Sequence, residues 1–268
     1  MADGLLREYR RIAAVGGVYS NAPALEAALA DARARGAEAV VCLGDMGAFG
    51  PHPDRVFPLL REGRVQAIQG NYERSLAQGL DDCGCGYTDP RDNRFARLSY
   101  AYTARHTSPD NVAWLRALPG TLRFRLGPLR VCCCHGSPRR LNEFLWESTT
   151  PDGLLRRFLD ADRADLLLCT HTGIKWHRAL PDGRHAVNVG VLGRPENDGR
   201  TNVWYALLTA NGSDLAVEFV PVHYDHEDLA REMEHEGLPA EFIHTIRTGW
   251  WTTCLEVLPA KERARGRY

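Results

Sequence analysis

No stretch of this 268-residue chain approaches the roughly 20 consecutive apolar residues that a membrane-crossing helix needs. Surplus charge is missing too: 33 lysines and arginines stand against 34 aspartates and glutamates, a formal net charge of -1. Totals so balanced imply no basic face, so neither nucleic acid nor a membrane is an expected partner. The start, Met1-Ala2-Asp3-Gly4-Leu5-Leu6-Arg7-Glu8, lacks the positive segment and apolar run of a secretory signal. The expected compartment is the cytoplasm. Repeats and low-complexity linkers are absent as well, and a chain of this length builds one substantial core.

What is there is alternation. Residues 11–15, 39–43 and 65–68 are short apolar runs, and residues 23–35 between the first two carry Leu25, Ala28, Leu29 and Ala32 at helical spacing. Strands separated by single helices predict βαβ units and a largely parallel start to the sheet. Residues 121–124 and 129–134 predict a hairpin around Gly127-Pro128, and residues 203–209 and 215–222 predict another around Asn211-Gly212. Further strands are expected at 166–169 and 186–189. Residues 80–102 read as the least regular stretch, the kind of loop that often carries function. From Asp225 the tail reads as mostly helical, up to Lys261-Glu262-Arg263-Ala264-Arg265.

The chemistry-bearing residues follow the strands. They are Gly16-Gly17-Val18-Tyr19 after the first, Gly44-Asp45 after the second and Gly70-Asn71-Tyr72-Glu73 after the third. Later come Cys134-His135-Gly136 and Thr170-His171-Thr172-Gly173. Carboxylate, amide oxygen and imidazole are the donors that hold hard and borderline cations. This order resembles the calcineurin-like metallophosphoesterases, and the resemblance runs from about Arg11 to about Tyr224. It implies a four-layer α/β/β/α sandwich of two mixed sheets, one domain over residues 1–224, and a helical extension over 225–268 packed on it.

The family pattern begins with Asp-x-His and ends with Gly-His-x-His. Here Gly17 and Tyr19 stand in the first segment, Gly173 replaces the last histidine, and Tyr72 replaces the histidine of Gly-Asn-His-Asp/Glu. In the family, one ion is held by the first-segment pair, the bridging aspartate and the last histidine. Only the bridge survives here. The other ion's set, Asp45, Asn71, His135 and His171, is complete. The resemblance therefore implies one divalent transition metal, of manganese, iron or zinc character.

Around this set, Tyr72, Tyr19 and Arg139 are the candidate catalytic groups, because a phenol or guanidinium can serve a phosphoryl oxygen. Arg74, Lys175, His177 and Arg194 are the candidate substrate-binding groups. Of eight cysteines, Cys42, Cys132 and Cys133 continue apolar strands and read as small buried side chains, with no disulfide framework expected. Cys83 and Cys85, one glycine apart, form a thiol loop suited to a soft metal, a thiophilic substrate or a structural clasp. The expected function is hydrolysis of a small phosphorylated molecule at a single metal. A drifted, non-phosphate reaction on the same scaffold and a non-catalytic binding protein are the alternatives, and a homo-oligomer is open. Restoring Gly17→Asp, Tyr19→His and Gly173→His is expected to add a second ion.

Overall fold

The computed structural model describes residues 7–212 and 214–264. The N-terminal reading falls chiefly on residues 1–6, and the tail's Arg265 also lies outside the described residues. In chain order the elements are β1 (Glu8–Tyr9), β2 (Arg11–Val15), α1 (Ala22–Ala34), β3 (Ala39–Cys42), α2 (Val56–Glu62), β4 (Gln66–Ala67), α3 (Asn71–Gln78), α4 (Pro90–His106) and α5 (Pro109–Arg116). They continue with β5 (Leu122–Leu126), β6 (Leu129–Cys133), α6 (Asp152–Asp162), β7 (Leu166–Cys169), β8 (Lys175–Ala179), β9 (His185–Val189), β10 (Val203–Asn211), β11 (Asp214–Val222), α7 (His226–His235), α8 (Ala240–Thr248) and α9 (Ala260–Arg263).

One sheet runs β11-β10-β2-β3-β4 and the other β1-β5-β6-β7-β9-β8. In the first, β2, β3 and β4 are parallel and β10 is antiparallel to β2. In the second, β6, β7 and β9 are parallel, β5 is antiparallel to β6 but parallel to β1, and β8 is antiparallel to β9. Side chains alternate between the faces of a strand. Ile12, Ala14, Val41, Val131, Leu166 and Leu168 thus meet between the sheets. Ala13, Val15 and Cys42 turn outward onto α1 and its neighbours, while Cys132, Leu167 and Cys169 turn onto α6. Each buried Leu or Val stabilises this arrangement by about 1.5–3 kcal/mol. The result is the four-layer α/β/β/α sandwich of two mixed sheets. Among the described residues, no helix is long and apolar enough to cross a membrane.

Two elements depart from the sequence expectation. The stretch read as irregular ends in α4, where Asp89 caps the helix by accepting from the amides of Arg91 and Asp92, and Pro90 opens it. Phe95, Ala96, Ser99, Tyr100 and Thr103 form its buried stripe. The second is β8, an edge strand whose charged composition hides it; Trp176 anchors it, its indole donating to the Leu145 carbonyl at 2.9 Å.

Candidate metal centre

The residues of interest leave the carboxyl ends of the parallel strands in both sheets, where α/β folds gather ligands. Asp45 follows β3, Asn71 opens α3 after β4, His135 follows β6 and His171 follows β7. Asp45 and His171 sit in the left-handed backbone region, at φ 55° and 70°. Glu73 holds the Asp45 turn. It is fully buried, and its carboxylate accepts the amides of Asp45 at 2.7 Å, Met46 at 2.8 Å and Gly70 at 2.8 Å. Gly70 lies against both Asp45 and His135, and a Cβ there would strike the carboxylate.

Three donor groups converge on His135. Its Nε2 lies 3.0 Å from Asn71 Oδ1, 3.0 Å from His171 Nδ1 and 3.2 Å from Asp45 Oδ2. The outer hydrogen bonds orient each ligand. His135 Nδ1 faces the Leu43 carbonyl at 2.6 Å and His171 Nε2 faces the Cys85 carbonyl at 3.2 Å. In the neutral form of both rings each contact takes the N–H, and the remaining nitrogen lone pairs then face each other. Asn71 donates its amide to the Cys83 carbonyl at 3.0 Å, leaving its oxygen inward. Two facing lone pairs repel unless a proton or a cation lies between them. Ligand atoms around a transition metal at about 2.0–2.2 Å stand on the order of 3 Å apart. The donor set is of the kind that could hold a divalent ion, with Asp45, His135 and His171 as the charged and imidazole ligands.

Burial governs the electrostatics. It works against the Asp45 charge, but the His135 ring, helped by His171 and the Tyr72 amide, holds the carboxyl below its usual range. Burial likewise opposes a charged His135, while Asp45 and the Leu43 carbonyl keep its pKa above the ordinary value. His171 is pushed down to about 3, by burial first and by His135 second. Burial drives Tyr19 and Tyr72 upward, so both are neutral phenols at physiological pH.

A cavity of about 50 Å³ adjoins the cluster, lined among others by Asp45, His171, Tyr72, Tyr19 and Arg194. Tyr72 donates its hydroxyl to Ser99 Oγ at 2.9 Å. Tyr87, from the irregular loop that the sequence singled out, joins the wall, and further wall residues come from distant segments that sequence reasoning did not place there: Phe95 and Ser99, then Phe242, Thr253 and Cys254 of the tail. Only the i,i+4 pairing of Phe95 with Ser99 on α4 carried a local signal.

The pattern of the calcineurin-like phosphoesterase superfamily domain matches residues 11–213 of the chain. The chain belongs to this superfamily. An uncharacterized protein of Methanocaldococcus jannaschii is 23% identical over 244 residues, covering 85% of this chain and 93% of the relative. The crystal structure of a hypothetical protein from Pyrococcus horikoshii superposes with a TM-score of 0.74 at 22% identity, covering 90% of this chain and 99% of that one. The crystal structure of a metallophosphoesterase from Sphaerobacter thermophilus gives 0.67 at 24% identity, with the same coverages of 90% and 99%. At these identities the two structures speak for the fold.

Against the superfamily pattern, the space of the degenerate half is filled. Gly17 lies under the Tyr19 ring. Gly173, at φ +80°, faces Trp251 and Arg194: a Cβ there would stand 2.8 Å from Trp251 Cη2 and 3.2 Å from Arg194 Nη2. The expectation that three substitutions rebuild a second metal site fails at this point, because the last histidine would need room that two side chains now occupy.

Other expected site residues lie outside the cavity. Arg139 is an exposed partner of Glu143 and packs over Phe158. With Arg74 it borders an open groove on the far side of Asn71, where solvent screens both charges. Lys175 turns away to Glu196 at 2.5 Å and lies over the Trp204 ring. His177 points along the β8–β9 edge, 3.1 Å from His185. Of the readings open for the thiol loop, the structure carries the clasp: Cys83 and Cys85 are joined in a disulfide, so neither offers a free thiol. The loop presents the Cys83 and Cys85 carbonyls to Asn71 and His171.

Proposed function

We propose that this chain is a metal-dependent hydrolase of small phosphoesters working from one ion held by Asp45, Asn71, His135 and His171. The observation that carries the reading is the pair of imidazole nitrogens facing each other at 3.0 Å, with the Asp45 and Asn71 oxygens beside the same nitrogen. A manganese, iron or zinc ion there would supply Lewis acidity toward a phosphoryl oxygen and a nucleophile at neutral pH.

The chain's own residues do the rest. Glu73 holds the Asp45 turn through three amide hydrogen bonds, so the carboxylate is oriented before any ligand arrives. In hydrolysis a water oxygen bonds to phosphorus while the ester oxygen departs and takes a proton. The neutral hydroxyl of Tyr72 lies at the cavity wall with its one proton on Ser99 Oγ, and turning that proton from Ser99 to the departing oxygen would make it the hydrogen-bond donor there. Aromatic walls limit the water that enters with the substrate.

The test is elemental analysis of protein purified without chelator or added metal, followed by a screen of phosphomonoesters. About one manganese, iron or zinc per chain is expected, lost in a folded His135→Ala variant together with turnover. No metal after reconstitution would overturn the reading, and two ions per chain would overturn its single-metal part.

A further inference from the structure

Arg194 is the charged group in the cavity wall that the metal cluster leaves unused. It is 6% exposed, and its Nε–H has no acceptor. Its neighbours are rings: the guanidinium lies 3.7 Å from the Trp251 centroid, 5.6 Å from Phe49 and 5.8 Å from Tyr19. The Cys254 thiol is its polar neighbour. Among the described residues no carboxylate pairs with it, and Glu196, two positions on, is engaged with Lys175. Ring faces attract a cation, yet they do not replace the hydration lost on burial. A guanidinium kept this way, with a donor unsatisfied and an adjoining cavity, is suited to an anion that enters from outside.

The position sharpens the point. Arg194 Nη2 stands 3.2 Å from where a side chain at Gly173 would begin, at the locus where the family pattern has its last metal-binding histidine. The same cavity touches Asp45 and His171, and its volume of about 50 Å³ admits a group the size of a few water molecules. We infer that Arg194 is the second cation of this site: its guanidinium, instead of a second ion, receives the oxyanion end of the ligand, a compact phosphoryl group, beside the metal cluster. The identity of the anion rests on the phosphoester reading; the role of Arg194 as anion receiver does not.

The test uses the full chain with its bound metal and inorganic phosphate as probe, titrated calorimetrically, with acetate in parallel. Arg194→Gln should weaken phosphate by about tenfold or more with metal content unchanged. Arg194→Lys, which keeps the charge but loses the planar fork, should fall between the two. Without phosphate, Arg194→Gln should melt no lower than the parent, because the buried charge it removes is uncompensated there. Phosphate affinity within about twofold of the parent in a folded Arg194→Gln protein would overturn the inference. So would acetate binding with phosphate excluded. Phosphate binding that still depends on Arg194 in a chain that holds no metal would sink the metal reading and leave this one standing.

Discussion

Gly173→Ala is the sharpest probe of how the degenerate half-site is filled. Gly173 has φ +80°, and a Cβ would stand 2.8 Å from Trp251 Cη2 and 3.2 Å from Arg194 Nη2. The left-handed backbone costs an L-residue about 1–2 kcal/mol relative to glycine. Overpacking against a well-packed ring costs about 1–3 kcal/mol. Trp251 has little freedom to yield, since it is 2% exposed and its indole donates to the Pro195 carbonyl at 2.7 Å. The sum is about 2–5 kcal/mol, read as a lower urea midpoint at unchanged m-value. Trp251→Phe removes the Cη2 atom, so Gly173→Ala in that background should cost only the backbone part, about 1–2 kcal/mol. A loss below about 0.5 kcal/mol in the parent background would refute the reasoning. The same cost in both backgrounds would refute the steric part. The obstacle applies more strongly to histidine, so Gly173→His should not raise metal content while Arg194 and Trp251 remain.

Glu73→Gln leaves one of the three amides it accepts facing an amino group, so the fold should lose about 1–3 kcal/mol and hold metal more weakly. Unchanged urea unfolding and metal retention would remove Glu73 from its positioning role. At the β8–β9 edge, burial lowers the pKa of His177 and of His185, and the facing ring lowers His177 further. The unfolded chain then takes up protons first as pH drops below about 6.5, so this pair's contribution is complete above that pH and is lost on acidification. His177→Asn should flatten the decline in stability between about pH 7 and 5 relative to the parent. An unaltered slope would show that the pair does not titrate with unfolding.

Much of the fold was legible because its cues are local. Strands at residues 11–15, 166–169 and 203–211 show as apolar runs bounded by turn residues, and the Asn21 cap with its apolar stripe marks α1. The β8 edge strand was not legible, because its residues match neither an alternating nor a buried pattern and its pairing with β9 places it. The start of α4 was written in Asp89-Pro90, but the glycine- and cysteine-rich residues before it masked the helical period.

The sequence by itself carried the superfamily, and through that resemblance the sandwich and the candidate ligands, because each motif directly follows its own apolar strand and stays legible as a local segment. It also separated Asp45, Asn71, His135 and His171 from the lost positions Gly17, Tyr19 and Gly173. Only the tertiary structure decided what fills the vacated space. Arg194 and Trp251 are 57 residues apart in the numbering and meet over Gly173 through long-range packing, for which no local spacing exists. The same holds for the charges that left the site. Whether Lys175 or Arg139 faces a ligand or a carboxylate depends on which partner the fold brings near, and here Glu196 and Glu143 are the nearer partners. Residue type and periodicity report what a segment is; only the packed chain reports what lies across from it.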